Sequence, residues 1–330
     1  MSDCGGLMGR SSITVRLARS FQALPLWIFR FLEWPVVALL SRRKAKLRAI
    51  FVLALPRSGS TVTYQLLCHG LFVQYLSNVW NLLYQLPLLG GWLSSFFARR
   101  HRSNFQSRYG FVSGVDGPAE GLRFWQWWLD CGLSDRDCAL MPDRKRRGRS
   151  GYLRKVLNVV TRGQGGPFVT AYLGHVLVPD RVHGGFPEAL LIRLRRDPVS
   201  NALSLLNSMR VNDATWFSVV PHECHGLDSS TEHERVAAQV YWLNRRLIDA
   251  ECANEMLTIH YEELCARPAA TLERIRAWCL EKGVNVAPKF SLPERFAYKV
   301  ADVERDPDAR KIRHALDLLE ERHGKLEEKP

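Results

Sequence analysis

Ala49-Ile50-Phe51-Val52-Leu53-Ala54-Leu55, followed at once by Pro56-Arg57-Ser58-Gly59-Ser60-Thr61, decides how the rest of the chain is read. An unbroken apolar run without alternation suits a strand buried on both faces, as at the centre of a parallel sheet. Pro56 to Gly59 is turn chemistry, and a helical pattern resumes through Cys68. Strand, tight turn and helix in that order aim free backbone N–H groups and the positive end of a helix at an anion. Gly59 allows close backbone approach, Ser58, Ser60 and Thr61 add hydroxyl donors, and Arg57 adds a planar fork for an oxyanion. The segment is not the loop G-x-x-x-x-G-K-[ST]: Ala54 stands five positions before Gly59 and Ser60 replaces the lysine, which disfavours a kinase or ATPase.

Outward from this loop, Phe168 to Leu173, Ala189 to Leu194 and Met256 to Tyr261 are further strand candidates. Helical patterns lie between and after them at Glu120 to Cys131, Val199 to Met209, Glu232 to Ala253 and Ala269 to Lys282. Strands spaced by helices predict an α/β fold with a central parallel sheet flanked by helices on both faces, like that of P-loop NTPases. Ligands of such sheets sit at the carboxyl ends of the strands. With no linker, repeat or low-complexity tract in 330 residues, residues 49–330 are read as one domain preceded by a separate segment, residues 1–48.

A second anion site is visible in Ala189 to Asp197 (ALLIRLRRD), where Pro198 opens a helix carrying Ser200 and Ser204. A basic residue at a strand end and a hydroxyl eight positions later can close on one phosphate from two sides. Together the two segments resemble the sulfotransferase family that uses 3'-phosphoadenosine-5'-phosphosulfate (PAPS). Leu55 to Thr61 is similar to its 5'-phosphosulfate loop, in which the basic residue offsets charge on the bridging oxygen. Arg196-Asp197-Pro198 with Ser204, preceded by Phe186-Pro187-Glu188-Ala189, resembles its 3'-phosphate motif. His260-Tyr261-Glu262-Glu263-Leu264 with Pro268 resembles its Y-E-x-L…P segment, whose tyrosine contacts the nucleotide in some members; as a residue alone, Tyr261 also reads as a strand-end core aromatic.

The resemblance, from about Ile50 to Gly283, implies transfer of a sulfuryl group from PAPS to an acceptor hydroxyl or amine, release of PAP, and no required metal. It departs from the family in two places. Where many bacterial-type members carry K-x-P-x-H, this chain has Ala171, Leu173 and His175, so a cation is missing. The R-K-G-x-x-G loop that closes over adenosine in cytosolic members is absent, and its replacement is sought within Phe290 to Arg310. A catalytically inactive relative that binds a nucleotide or polyanion is the alternative reading.

Sulfuryl transfer needs in-line positioning, charge stabilisation and a base for the acceptor proton. Glu120, in Gly117-Pro118-Ala119-Glu120-Gly121 ahead of Phe124, Trp125, Trp127 and Trp128, is the first candidate base; it reads equally as a helix-starting carboxylate. His175 is the second candidate, with a core histidine as the other reading.

A formal charge of +13 suits a polyanionic ligand. The run from Asp143 to Arg149 lacks interleaved aromatics, so it is expected to be an exposed loop rather than a nucleic-acid site. Eight cysteines without a C-x-x-C pair fit a reducing, cytoplasmic setting. His222-Glu223-Cys224-His225 is too crowded to be read as a metal site. Phe21 to Leu40 is apolar but carries Arg30, Glu33, Pro25 and Pro35. Three readings remain open for it: a helix docked on the body, a true span, and peripheral contact of residues 13–48 with an anionic membrane. In the last, Leu24, Trp27, Phe31 and Trp34 would form the stripe, with Arg16, Arg19, Arg30 and Arg42 facing lipid. The acceptor class (small molecule, lipid or carbohydrate) is not readable, and the aromatic stretch from Leu71 to Phe97, with Trp80, Tyr84, Trp92 and Phe96, reads as acceptor cover or as core.

Overall fold

The computed structural model describes residues 26–42, 46–107 and 110–326. Arg16, Arg19 and Leu24 lie outside the described residues, as do the side chains of Trp27 and Arg30. The apolar run forms β1 (Ala49–Ala54), buried at all six positions as a strand covered on both faces must be. It leads through the turn into α2 (Ser60–Gly70), while α1 (Leu26–Leu40) precedes it. Next come β2 (Gln74–Tyr75), α3 (Asn78–Leu82), α4 (Pro87–Ala98), α5 (Leu122–Leu129), α6 (Asp143–Gln164), β3 (Phe168–Thr170) and α7 (Pro179–Gly185). The rest is β4 (Leu190–Arg195), α8 (Pro198–Val211), α9 (Glu232–Ile248), β5 (Met256–His260), α10 (Tyr261–Ala266), α11 (Pro268–Glu281) and α12 (Pro307–His323).

The five strands are parallel in the order β2-β3-β1-β4-β5. β1 is therefore central, with Ala49 opposite Phe168 on one side and Ile50 opposite Leu190 on the other. The chain leaves β1 towards β2 and β4 towards β5, so the winding reverses between β1 and β4. That reversal opens a crevice above their carboxyl ends, where Pro56 and Arg196 stand. The helices that flank the sheet include two packed groups, α3 to α6 with α1, and α8, α9 and α12.

The strand and helix expectations hold with shifts at the ends, and three local differences have physical reasons. Residues 143–149 are the first two turns of α6 rather than an exposed loop. Arg and Lys are good helix formers, Asp143 pairs with Arg146 at 2.5 Å, and Leu153, Val156, Leu157 and Val160 bury the helix's inner stripe. β3 ends at Thr170, and the chain turns through a short 3₁₀ segment at Leu173–Leu177, which carries His175 off the strand. β2 was not anticipated, since two residues hold no readable periodicity.

Lys289 ties the far ends of two helices together. Its ammonium donates to the carbonyls of Cys68 (2.9 Å) in α2 and Ala98 (2.6 Å) in α4, where a cation also meets the negative end of each helix. Burial lowers its pKa to about 8. Lys289→Met leaves both carbonyls without this partner and is expected to lower stability by about 1–3 kcal/mol, read as a lower urea midpoint with an unchanged m-value.

Candidate active site

The turn after β1 is built by its own groups. The Ser58 N–H and hydroxyl both donate to the Leu55 carbonyl, at 3.2 and 2.7 Å. Ser58 is thereby buried within the turn and is not on the wall of the cavity above it, unlike Ser60 and Thr61. Arg57 takes a left-handed conformation (φ 63°), rare for a residue with a side chain, and points its guanidinium out of the turn. Gly59 caps α2 with φ 96°, and a Cβ there would come within 2.2 Å of the Tyr261 ring. The first N–H groups of α2 lack intrahelical partners and open above the loop.

Arg196, at the end of β4, donates to the Arg57 carbonyl at 2.6 Å and to the Lys299 carbonyl at 3.2 Å. Its guanidinium lies 5.0 Å from the centre of the Tyr261 ring, and its buried Nε has no hydrogen-bond partner among the described residues. Arg57 Nε donates to the Ser204 hydroxyl at 3.3 Å, so the two motifs read separately in sequence touch. Asn201 braces the turn by donating to the Pro56 carbonyl at 2.7 Å. Asp197 caps α8 through Ser200, and the Ser200 hydroxyl accepts from the Ala301 N–H at 2.9 Å. Tyr261 opens α10 at the end of β5; its phenol is pushed up to about 12, by burial first and by its hydrogen bond with Cys265 second.

These groups line one cavity of about 710 Å³, of ligand size. Arg57, Gly59, Ser60, Thr61, Arg196, Ser204 and Tyr261 are on its wall, and Glu120 faces them. The Glu120 carboxylate approaches Gly110 closely enough that a Cβ there would lie 2.9 Å from Oε1. No hydrogen-bond partner holds it among the described residues, and burial raises its pKa to about 7. Glu120 sits one residue ahead of Gly121, the cap of α5, rather than inside the helix.

His175 is not on that wall. It is fully buried against Phe51, Trp125 and Tyr172, and neither ring nitrogen has a hydrogen-bond partner among the described residues. Burial drops its pKa to about 3. Ala171 is likewise buried, so no side chain from the strand brings a cation, while Leu173 reaches the wall.

Sequence reading missed Phe217 and Ser218, which also line the cavity. The only signal was the loop-forming run Asn212-Asp213-Ala214-Thr215 after α8, and Ser218 adopts φ 63°, which no motif announces. It also missed that residues 298–301 meet the site: Tyr298 packs on Tyr261 at 6.5 Å between ring centres, the Lys299 carbonyl accepts from Arg196, and the Ala301 N–H donates to Ser200. These contacts fall within the span where a replacement for the missing loop was sought.

The cluster near His222 is already bridged by a cation. Arg246 donates to Asp135 (2.6 and 3.0 Å) and Glu223 (2.8 Å) and meets His222 Nδ1 at 2.6 Å. All seven described cysteines are buried free thiols, Cys4 being outside the described residues.

The model of the Sulfotransferase family matches residues 49–282. Among solved structures, the chain is similar to sulfotransferase STF9 from Mycobacterium avium at 15% identity and TM-score 0.49, covering 94% of this chain and 76% of that one. For sulfotransferase STF1 from Mycobacterium tuberculosis H37Rv the values are 16%, 0.49, 94% and 85%. For the sulfotransferase domain from the Curacin biosynthetic pathway they are 18%, 0.39, 86% and 89%. Comparison with curated proteins finds no match.

Proposed function

The chain belongs to the sulfotransferase family, and from that premise we propose that it moves a sulfuryl group from PAPS to a hydroxyl or amine of a small-molecule acceptor. The observation that carries the reading is the meeting of three elements around one cavity: the loop after β1, the Arg196–Ser204 pair, and Glu120. The cavity suits such a donor. Gly59 presents bare backbone beneath the Tyr261 ring, Arg196 keeps a buried Nε that has no hydrogen-bond partner among the described residues, and α2 turns its N–H groups inward.

PAPS, when bound, supplies a sulfuryl group on a phosphate leaving group. Arg57, with the N–H groups that open α2, stabilises negative charge above the loop. Arg196 and the Ser204 hydroxyl hold the 3'-phosphate end, and Tyr261 offers a ring face to the nucleoside. Glu120 accepts the proton of the attacking hydroxyl or amine, its raised pKa making it a better base than an exposed carboxylate. His175, shielded from the cavity, is left as a core residue. Residues 49–330 act as the sulfotransferase domain in this reading, and residues 1–48 as an attached segment. Among the described residues no helix is long and apolar enough to cross a membrane.

The test is thermal unfolding with PAP beside ATP and AMP. A ligand at a hundredfold its Kd adds about 2.7 kcal/mol to native-state stability, a shift of several degrees. PAP is expected to give a shift that ATP and AMP do not, lost in Arg196→Ala and reduced in Ser204→Ala. Because Arg196 also braces the loop, the Ser204 variant separates lost binding from lost structure. Equal shifts with ATP would remove the proposed donor. A PAP-selective shift without transfer from PAPS to any acceptor would favour a non-catalytic binding protein, the reading supported by Ala171 at the cation position.

A further inference from the structure

The helix α4 is built inside out. Its buried face is Gly90, Gly91, Ser94, Ser95 and Ala98, while Leu89, Trp92, Phe96 and Phe97 point outward. Trp92 is 52% exposed and Phe96 58%, and their rings stack edge to face at 4.7 Å rather than against the body. A helix packed on a soluble domain ordinarily does the reverse. The small residues explain the fit: a Cβ at Gly90 or Gly91 would strike the Trp80 ring at 2.5 or 2.8 Å, so α4 lies close on the core with no room for its own large side chains.

Beside it α1 touches the body through Glu33 and Val37 and leaves Phe31, Leu32, Trp34, Val36, Leu39 and Leu40 outside. Glu33, the acid of α1, is drawn inward: its carboxylate accepts from the N–H groups of Leu88 (3.3 Å) and Leu89 (2.8 Å) in the first turn of α4. One contact thus joins the helices and removes a negative charge from the surface. α4 carries no charged residue, and the margin of the pair is basic, with Arg42 and Lys46 exposed beyond α1 and Arg99 and Arg100 exposed beyond α4. A groove of about 420 Å³ at that end joins Phe96 and Phe97 to Arg99 and Arg100; its acid, Asp116, is held by His101 at 2.8 Å.

We propose that α1 and α4 together form a platform that lies on an anionic lipid bilayer. Exposed Trp, Phe and Leu with a basic rim, and with the acids Glu33 and Asp116 both held by partners, match the interfacial region and its negative headgroups. A second copy fits less well, because a two-fold pairing through this face would set arginine rims against each other. This surface differs from the stripe expected from sequence in that half of it is α4. It does not depend on the reaction assigned to the cavity.

Flotation of the full chain with vesicles tests it, using phosphatidylcholine alone or mixed equally with phosphatidylglycerol. The protein is expected to float with the anionic vesicles and much less with phosphatidylcholine alone. Trp92→Glu with Phe96→Glu abolishes flotation while the melting temperature is kept, since both side chains are exposed. Arg99→Ala with Arg100→Ala keeps weak binding but lowers the preference for anionic vesicles by roughly five-fold per arginine. Wild-type protein that floats with neither vesicle, or a Trp92/Phe96 variant that floats as well as wild type, overturns the proposal. So does wild type that sediments as a dimer, ignores vesicles and becomes monomeric in that variant; the face would then be a contact between copies.

Discussion

Glu120→Gln lowers kcat for sulfuryl transfer about 10²–10⁴-fold, the ordinary contribution of a positioned base, and leaves the PAP-induced thermal shift in place. The substitution keeps shape and removes only the ability to take a proton. Its companion signature is in the pH profile. With a pKa raised to about 7 by burial, the carboxyl is mostly protonated at pH 6, so wild-type activity rises through neutrality on its acidic limb and the residual activity of the variant does not. Stability moves the other way. A carboxyl whose folded pKa lies above its unfolded value stabilises the native state fully below pH 4.5, and that stability is lost as the pH rises through about 7. Glu120→Gln removes this loss, so relative to wild type the variant melts higher at pH 8 than at pH 5. A kcat that falls less than ten-fold would move the base elsewhere. His175→Ala, measured beside it, is expected to lose core stability rather than a pH limb, because the imidazole is sealed from the cavity.

Gly59→Ala abolishes the PAP-induced shift and destabilises the protein by about 1–3 kcal/mol. Two independent constraints meet at this residue. Its φ of 96° is one that side chains rarely adopt, and the added methyl would lie 2.2 Å from Tyr261. Relief has to come from the ring or the turn. The ring stacks with Arg196, and the turn is held by Arg196 and Asn201, so either movement disturbs both proposed phosphate sites. Tyr261→Ala in the Gly59→Ala background makes room but leaves the backbone strain, so it restores part of the stability. Denaturant titration of the single and double variants reads the difference; full recovery in the double variant would show that the ring alone sets the constraint.

Legibility in the sequence followed the range of the forces involved. β1, its turn and α2 were readable because an apolar run, a glycine and a helical pattern are contiguous, and no distant contact decides among them. Arg196 and Ser204 were readable for the same reason, being one strand end and two turns of the next helix. Their contact with Arg57 was not, since it depends on β4 lying beside β1. The start of α6 was misread because a basic run was judged by its charge, while its helical form is set by the apolar stripe that follows it. α4 defeated composition altogether: Trp92 and Phe96 read as core or substrate cover, and only the collision of its glycines with Trp80 fixes which face goes inward. Phe217 and Ser218 sit in a loop without a pattern, so nothing local marked them.

The place of β1 at the middle of a parallel sheet has a consequence for biosynthesis. Of the described strands it leaves the ribosome first and must wait for both neighbours, Phe168 of β3 being 119 residues further on and Leu190 of β4 later still. At about 5–20 residues per second that interval is roughly 6–24 s. For that time an uncharged segment of strand-forming residues is a nascent chain's most adhesive stretch, open to pairing with its like on neighbouring polysomes. Conditions that shorten that interval, or that lower the number of chains made at once, should therefore act mainly on yield, through the protection of seven residues, Ala49 to Leu55, that in the finished molecule are among the least accessible.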